Sequence, residues 1–259
     1  MILYKYLDLD TAHLIFKNST LKFSKASSLN DPFELTSLHY GSWQNSEEQI
    51  IRRIAASISF GILSLTRNPL NPLMWAHYGR GIQADYKDAM RIDKGNNTHA
   101  GIVLGIDPDE AGFNSINSNV IPAKYGSVIY TATKPQHTFE NSDNLELYDG
   151  MLSRFKPELL EALQRTFLHK ASYWAYEEEV RVVRNISRGE YRDEIQPIKK
   201  SAFKEVYVGT RNTFNRHYLE GFKEIINNEL PSCEIFVCRF NEIDWGLKKL
   251  NINDAISNL

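Results

Sequence analysis

Tyr173-Trp174-Ala175-Tyr176-Glu177-Glu178-Glu179-Val180-Arg181-Val182-Val183 is the stretch on which the reading of the fold turns. From Glu179 to Val183 polar and apolar residues alternate, the pattern of a half-buried strand. Val180 and Val182 then point one way, and Glu179, Arg181 and Val183 the other. Glu177 and Glu179 stand where an aromatic run enters this strand. If extended geometry begins at Glu177, both acids share a face with Arg181, and a cation beside them holds them ionised. Three consecutive acids beside packed aromatics suit a site better than a plain core. The bland alternative is a solvated edge with a surface ion pair, which contributes little.

Outward from this strand, Ala100 to Ile106 reads as a central strand ended by Asp107-Pro108, and Val120 to Thr131 carries another. Leu145 to Lys170 reads as mostly helical, and Thr133 to Asn144 as a polar loop. Upstream, Ile2 to Tyr6 is a first strand, followed by a helix with Asp10 as N-cap. Leu21 to Ser24 is a second strand, and Ser46 to Phe60 an amphipathic helix whose apolar stripe is Ile50, Ile51, Ile54 and Ile58. Ile62 to Thr66 is a buried strand. Asn71 to Gly79 is a short helix with Asn71 capping, Pro72 first and Gly79 as stop. Downstream come a strand from Lys204 to Gly209, a helix from Thr213 to Leu230 stopped by Pro231, a strand from Glu234 to Phe240, and a polar tail from Asn251. Strands and helices do not alternate regularly, and no repeat or linker marks a boundary. The expectation is a single α+β domain over residues 1–259, with a mixed, largely antiparallel sheet flanked by helices and a polar inserted segment from Gly81 to His99.

The totals agree with a globular chain: 259 residues, 42% apolar and 24% charged, suit a sizeable core rather than disorder or a bilayer. A net charge of -2 argues against a basic coat for nucleic acid and leaves room for a local basic groove. Cys233 and Cys238, if in one strand, face opposite ways and are unsuited to bonding each other. Without a disulfide framework or zinc spacing, a reducing cytoplasm is the expected location. Met1 to Tyr6 lacks the basic leader and apolar run of a signal peptide, and no apolar stretch reaches spanning length.

Three further constellations carry chemistry. In Asn30-Asp31-Pro32-Phe33-Glu34 the first two side chains can bond nearby amides. The segment is either a locked turn or one wall of a ligand pocket. Trp75-Ala76-His77-Tyr78 puts two aromatics and an imidazole into one helical turn, either a core helix with a histidine at its rim or a pocket in which His77 or Tyr78 bonds a ligand. In Tyr4-Lys5-Tyr6 both tyrosines share a face, and Lys5 on the other can meet a phosphate. Metal-ligand spacings, the phosphate loop, the Gly-x-Gly-x-x-Gly fingerprint and the Gly-x-Ser-x-Gly elbow are all missing, so no metal is expected.

In order, Leu3 to Tyr6, Phe23-Ser24, Asn30 to Glu34, Met74 to Tyr78 and Trp174 to Arg181 resemble the pattern of a bacterial family named only as a domain of unknown function. That pattern usually passes soon from the histidine-tyrosine block to a glycine and an apolar strand; here Gly81 to His99 delays it. A more distant resemblance is to ADP-ribosyltransferases, with their split sheet: a short strand, a second strand with Ser24, and a late strand opened by Glu177-x-Glu179. The resemblance implies that Glu179 holds the nicotinamide ribose of NAD and Glu177 helps orient the acceptor. It also implies that NAD is a substrate contacted by Tyr4, Lys5, Tyr6, Ser24, Asn30, Asp31, Trp75, His77, Tyr78 and Arg181. Those enzymes carry an Arg or His on the first strand, where this chain has Lys5. The reading that follows is a cytoplasmic ADP-ribosyltransferase, a toxin or phage-defence effector modifying nucleic acid or protein, with an antitoxin or regulatory protein as a further partner. The alternatives are a non-catalytic module binding a nucleotide or partner, and a metal-dependent nuclease built on Asp31, Glu34, His77 and Glu179.

Overall fold

The computed structural model describes residues 1–29, 31, 33, 35, 47–84, 92–135, 145–188 and 191–259. Asn30, Glu34 and much of the expected polar loop before Leu145 lie outside the described residues. In chain order the elements are β1 (Leu3–Leu7), α1 (Leu9–Asn18), β2 (Thr20–Lys22), β3 (Ser24–Lys25), α2 (Glu47–Ser59), β4 (Phe60–Thr66) and α3 (Pro72–His77). Next come β5 (Gly81–Ala84), β6 (Ile92–Asn97), β7 (Ile102–Ile106), β8 (Ile129–Thr131), α4 (Leu145–Tyr148), α5 (Leu160–Phe167), β9 (His169–Ala171) and β10 (Glu179–Asn185). The last are β11 (Ile195–Pro197), β12 (Phe203–Val208), α6 (Arg216–Glu229), β13 (Glu234–Phe240), β14 (Leu247–Asn251) and α7 (Ile252–Ser257). The class is α+β with a mixed, mostly antiparallel sheet.

The chain divides into two compact units. The first holds Met1–Thr20, Leu65–Ala111 and Pro197–Leu259. In it β1 and β12 flank β7, both antiparallel to it, β13 lies parallel to β12, and β14 closes the sheet antiparallel to β13. The parallel step is bridged by α6, as a crossover between parallel strands requires. All five residues of β7, IVLGI, are buried, which is why that segment reads as a central strand. Helix α1 offers Leu9, Ala12, Ile15 and Phe16, and α6 offers Leu219, Phe222 and Ile226; Phe16 meets Phe222 edge-on at 6.1 Å. Each of the leucines, isoleucines and phenylalanines among them taken from water contributes roughly 1.5–3 kcal/mol.

The second unit holds Leu21–Ser64 and Gly112–Gln196. Its centre is β10, with β4 on one side and β3 beyond. All seven residues of β10 are buried, not the half expected from alternation. The reason lies on its other edge, where Ile121 and Ser127 form bridges to Val183 and Val180. Gly126 makes this approach possible, since a Cβ there would sit 1.9 Å from the Arg181 carbonyl oxygen. The buried face opposite Arg181 carries Arg184, whose guanidinium donates to Asn119 (2.7 Å) and Gln196 (2.6 Å) and lies over the Phe23 and Tyr191 rings.

Several local expectations are corrected. Asp8, not Asp10, caps α1, accepting from the Thr11 amide at 2.8 Å. In α2, Ile51, Ile54 and Ile58 are exposed, whereas Ala56 and Ser59 are buried. Small side chains win that face because Gly150, at φ +67°, approaches close to Ser59 and the Ala55 carbonyl. The strand carried by Val120 to Thr131 is Ile129–Thr131, and the mostly helical span from Leu145 to Lys170 holds two short α-helices. The inserted segment carries an antiparallel pair, β5 with β6. The tail from Asn251 is not loose: Asn251 caps α7, which buries Ile252 and Ala255. Both cysteines are free thiols.

Candidate functional site

The aromatic run Ser172–Glu177 forms a 3-10 turn, not the start of the strand. Glu178 follows in the left-handed region, at φ 45°, and β10 begins at Glu179. A non-glycine residue held there stores on the order of 1–3 kcal/mol of strain, a feature concentrated at functional sites. The chain reverses at Glu178, so Glu177 and Glu179 are brought together by a turn rather than by shared strand phase. Both are buried, each 4% exposed, and both carboxylates meet the ammonium of Lys170 on β9.

Arg181 grips Glu179 with a fork: Nε donates to Oε1 at 2.8 Å and Nη2 to Oε2 at 3.1 Å. Its Nη1 donates to the Phe167 carbonyl at the end of α5 (2.6 Å). Lys170 Nζ donates to Glu179 Oε2 at 3.1 Å and lies 5.1 Å from the centre of the Trp174 ring. The Tyr130 hydroxyl accepts from the Glu179 amide at 2.9 Å, and parallel pairing of β8 with β9 sets Tyr130 opposite Lys170.

Burial by itself raises the Glu179 pKa. The charges of Arg181 and Lys170, with hydrogen bonds from Arg181 and Ser64, outweigh it and hold the carboxyl at about 2. Two cations at contact distance, each worth about 4 kcal/mol at an effective dielectric near 20, are enough for that reversal. Lys170 is pushed down by burial and more strongly up by Glu179 and Glu177, so it stays charged. Burial pushes Tyr130 up to about 12. Glu177, Glu179, Lys170 and Arg181 therefore form one buried network of two acids and two bases.

Lys170 also lines a cleft of about 130 Å³ in the second unit. Asp31, Phe33 and Leu35 form one wall, residues 131–135 another, and His169 and Tyr173 complete it. Asp31 is buried and accepts from the Phe33 amide at 2.9 Å, the locked turn expected there, and that turn is a cleft wall. Lys134 stands over the Phe33 ring at 4.4 Å. His169 Nδ1 faces the Gln164 carbonyl at 3.1 Å; a carbonyl takes only a donor, so Nδ1 donates there. A wider hollow of about 600 Å³ beside Glu146 and Arg154 is shallower in chemistry, its Lys156 and Glu146 paired at the surface.

Of the residues singled out in the sequence, the second unit thus gathers Glu177, Glu179, Arg181 and Asp31 around Lys170 and the cleft. Ser24 sits on β3, opposite Ile62 of β4. Asn30 lies outside the described residues, and Tyr4, Lys5, Tyr6, Trp75, His77 and Tyr78 lie in the first unit. Trp75 is fully buried, its indole N–H donating to the Pro69 carbonyl (3.0 Å) and its ring against the edge of Tyr6 at 5.3 Å, so it presents no open face for stacking. Tyr6 donates to the Asn68 carbonyl and accepts from the Asn71 amide. Tyr4 donates to Glu205 at 2.9 Å, and burial with that contact pushes its pKa up to about 12. Lys5 is half-buried on β1; His77 is exposed beside the half-buried Tyr78. Lys170, Tyr130 and His169 leave no mark in local sequence, because a three-residue parallel pairing brings them to the site; Tyr173 stands in the quoted aromatic run, which gave it no role.

Among the described residues no cluster of three or more His, Cys, Asp or Glu could hold a metal, and no helix is long and apolar enough to cross a membrane. Residues 74–182 match the model of a family described as "Protein of unknown function (DUF2971)". The match runs from the Trp75 turn into β10 and agrees with the resemblance to a domain-of-unknown-function family. Searches of curated proteins and of solved structures gave no match.

Proposed function

We propose that the chain is an ADP-ribosyltransferase that consumes NAD at the cleft of the second unit. One observation carries this: two buried carboxyl side chains meet on a lysine that lines an aromatic-walled cleft. In the reaction the bond from ribose C1′ to nicotinamide breaks, nicotinamide leaves with the electron pair, and the sugar gains oxocarbenium character. The acceptor then bonds to C1′ and gives up its proton. A fixed carboxylate stabilises that charge more than the ground state.

The residues divide this work. Glu179 is held by the rigid Arg181 fork, whereas Glu177 meets Lys170, a point charge on a flexible stem. This reading gives Glu177, beside the cleft-lining Lys170, the ribose hydroxyls and Glu179 the anchoring of Lys170, the reverse of the roles that the resemblance implies. At about 130 Å³ the cleft is sized for one flat ring beside Phe33 and Tyr173 rather than for a whole dinucleotide. The acceptor is a nucleic acid or a protein. The second reading, a non-catalytic nucleotide-binding module, is favoured by the occupancy of both Glu179 oxygens by Arg181 and Lys170.

The test is incubation of the pure chain with adenylate-labelled NAD and bacterial lysate, followed by separate protease and nuclease digestion. Label made soluble by one digestion and not the other names the acceptor. Bound NAD that stays intact supports the module, and the absence of both labelling and binding overturns both readings.

A further inference from the structure

The cleft beside Lys170 holds a cation of the chain's own. Lys134 Nζ stands 4.4 Å from the centre of the Phe33 ring, and among the described residues it forms no ion pair. The face of an aromatic ring attracts positive charge through its quadrupole, and a cation over an exposed ring is held weakly. Phe33 is 56% exposed and Lys134 is exposed as well, so the contact opens without disturbing the core. The Phe33 ring is therefore a cation site whose occupant hangs on a flexible stem.

A second group calls for the same ligand charge. Asp31 lines the cleft, is 8% exposed, and accepts from the Phe33 amide through Oδ1. Among the described residues nothing donates to its Oδ2. A nearly buried carboxylate oxygen without a donor is unfavourable until a charge or an N–H meets it. The other polar groups of the cleft are already engaged. Lys170 meets Glu177 and Glu179, His169 donates from Nδ1 to the Gln164 carbonyl, and the Thr131 hydroxyl donates to the Thr133 carbonyl. An exposed ring and an undonated carboxylate oxygen beside a space of about 130 Å³ suit one flat, positively charged ring.

We infer that the wall formed by Phe33 and Asp31 selects a cationic aromatic ring, and that Lys134 is the resident cation which this ring displaces. The identity of the ring rests on the NAD reading: in oxidised NAD the nicotinamide is a pyridinium cation. When its bond to ribose C1′ breaks, the electron pair goes to the ring nitrogen. Nicotinamide is then uncharged, and the positive charge passes to the ribose. The neutral product loses its attraction to the Phe33 ring and to Asp31, and Lys134 returns in its place. The wall serves binding and release rather than the chemical step, because charge leaves the ring in the transition state.

NMR titration of the full chain with 1-methylnicotinamide, nicotinamide and nicotinate tests this without turnover, since the three share one ring and differ in charge. Wild type binds the cation about tenfold tighter than the neutral ring, and the anion most weakly. Phe33→Leu and Asp31→Asn each cut that preference by about threefold or more, the asparagine keeping an oxygen for the Phe33 amide. Lys134→Ala, a change at an exposed position, tightens both the cation and the neutral ring because the competitor is gone. Equal affinity for cation and neutral ring overturns the inference, as do tighter binding of nicotinate, binding of none of the three, or an unchanged affinity in Lys134→Ala. Nicotinamide release from NAD tests the transferase reading separately. A charge preference in a chain that leaves NAD intact keeps the inference and removes that reading; cleavage of NAD without the preference does the reverse.

Discussion

Replacing Arg181 with methionine removes the fork that holds Glu179 while keeping much of the buried volume. Glu179 is 4% exposed and would keep Lys170 and Ser64 as partners but lose both guanidinium bonds, and the Phe167 carbonyl would lose its donor. Removing one partner of a buried pair destabilises by about 3–5 kcal/mol, because the remaining charge stays buried. For a chain of this size that corresponds to a drop in Tm on the order of 10 °C. Urea and thermal unfolding of the variant measure it. Arg181→Lys should recover only part, since a point charge cannot reproduce the two-pronged contact. The double variant Arg181→Met with Glu179→Leu should lose less than the two single losses added together. A drop below about 1 kcal/mol for Arg181→Met, or simple additivity in the double variant, would refute the claim that a desolvated charge network organises this site.

The pH dependence follows from the same pair: Glu179 has its pKa depressed from 4.5 to about 2, so its stabilisation is fully present above about 4.5 and is lost as pH falls toward 2. The loss is on the order of 3 kcal/mol, read from urea unfolding across that window, and a Glu179→Gln background should lack it. Gly126→Ala should lower stability by about 3 kcal/mol or more, measured by thermal unfolding, because its Cβ would fall 1.9 Å from the Arg181 carbonyl; an unchanged Tm would show that the 120–128 segment does not pack on β10 as described. Tyr4→Phe should weaken the chain by about 1 kcal/mol in urea, since Glu205 accepts from both Tyr4 and Tyr207, each at 2.9 Å.

The sequence reveals features whose cause is local. Asn71 and Pro72 announce α3, the apolar run before Asp107 announces β7, and Val180 to Val183 announces β10, because caps, turns and strand composition act within a few residues. The acid pair was visible for the same reason. What the sequence does not disclose depends on distant segments. Lys170 reaches the acids only because β9 pairs with β8, and β10 is buried on both faces only because residues 120–128 bridge its outer edge. The Ile51, Ile54 and Ile58 stripe misleads because periodicity says which residues share a face, not which face the fold covers; Gly150 admits the small-residue face instead. Trp75 and Tyr6 look like ligand aromatics for the opposite reason: a rigid core also places aromatics side by side, and here the indole N–H is satisfied by the Pro69 carbonyl.

The most direct measurement is the rate of nicotinamide release from NAD by the purified chain, wild type beside Glu177→Gln. The account predicts release by wild type, and a Glu177→Gln variant that melts lower, because Lys170 loses a buried partner, yet is folded at the assay temperature and turns over about a hundredfold or more slower. A wild type that neither binds nor cleaves NAD, or a folded Glu177→Gln variant at full rate, would contradict it.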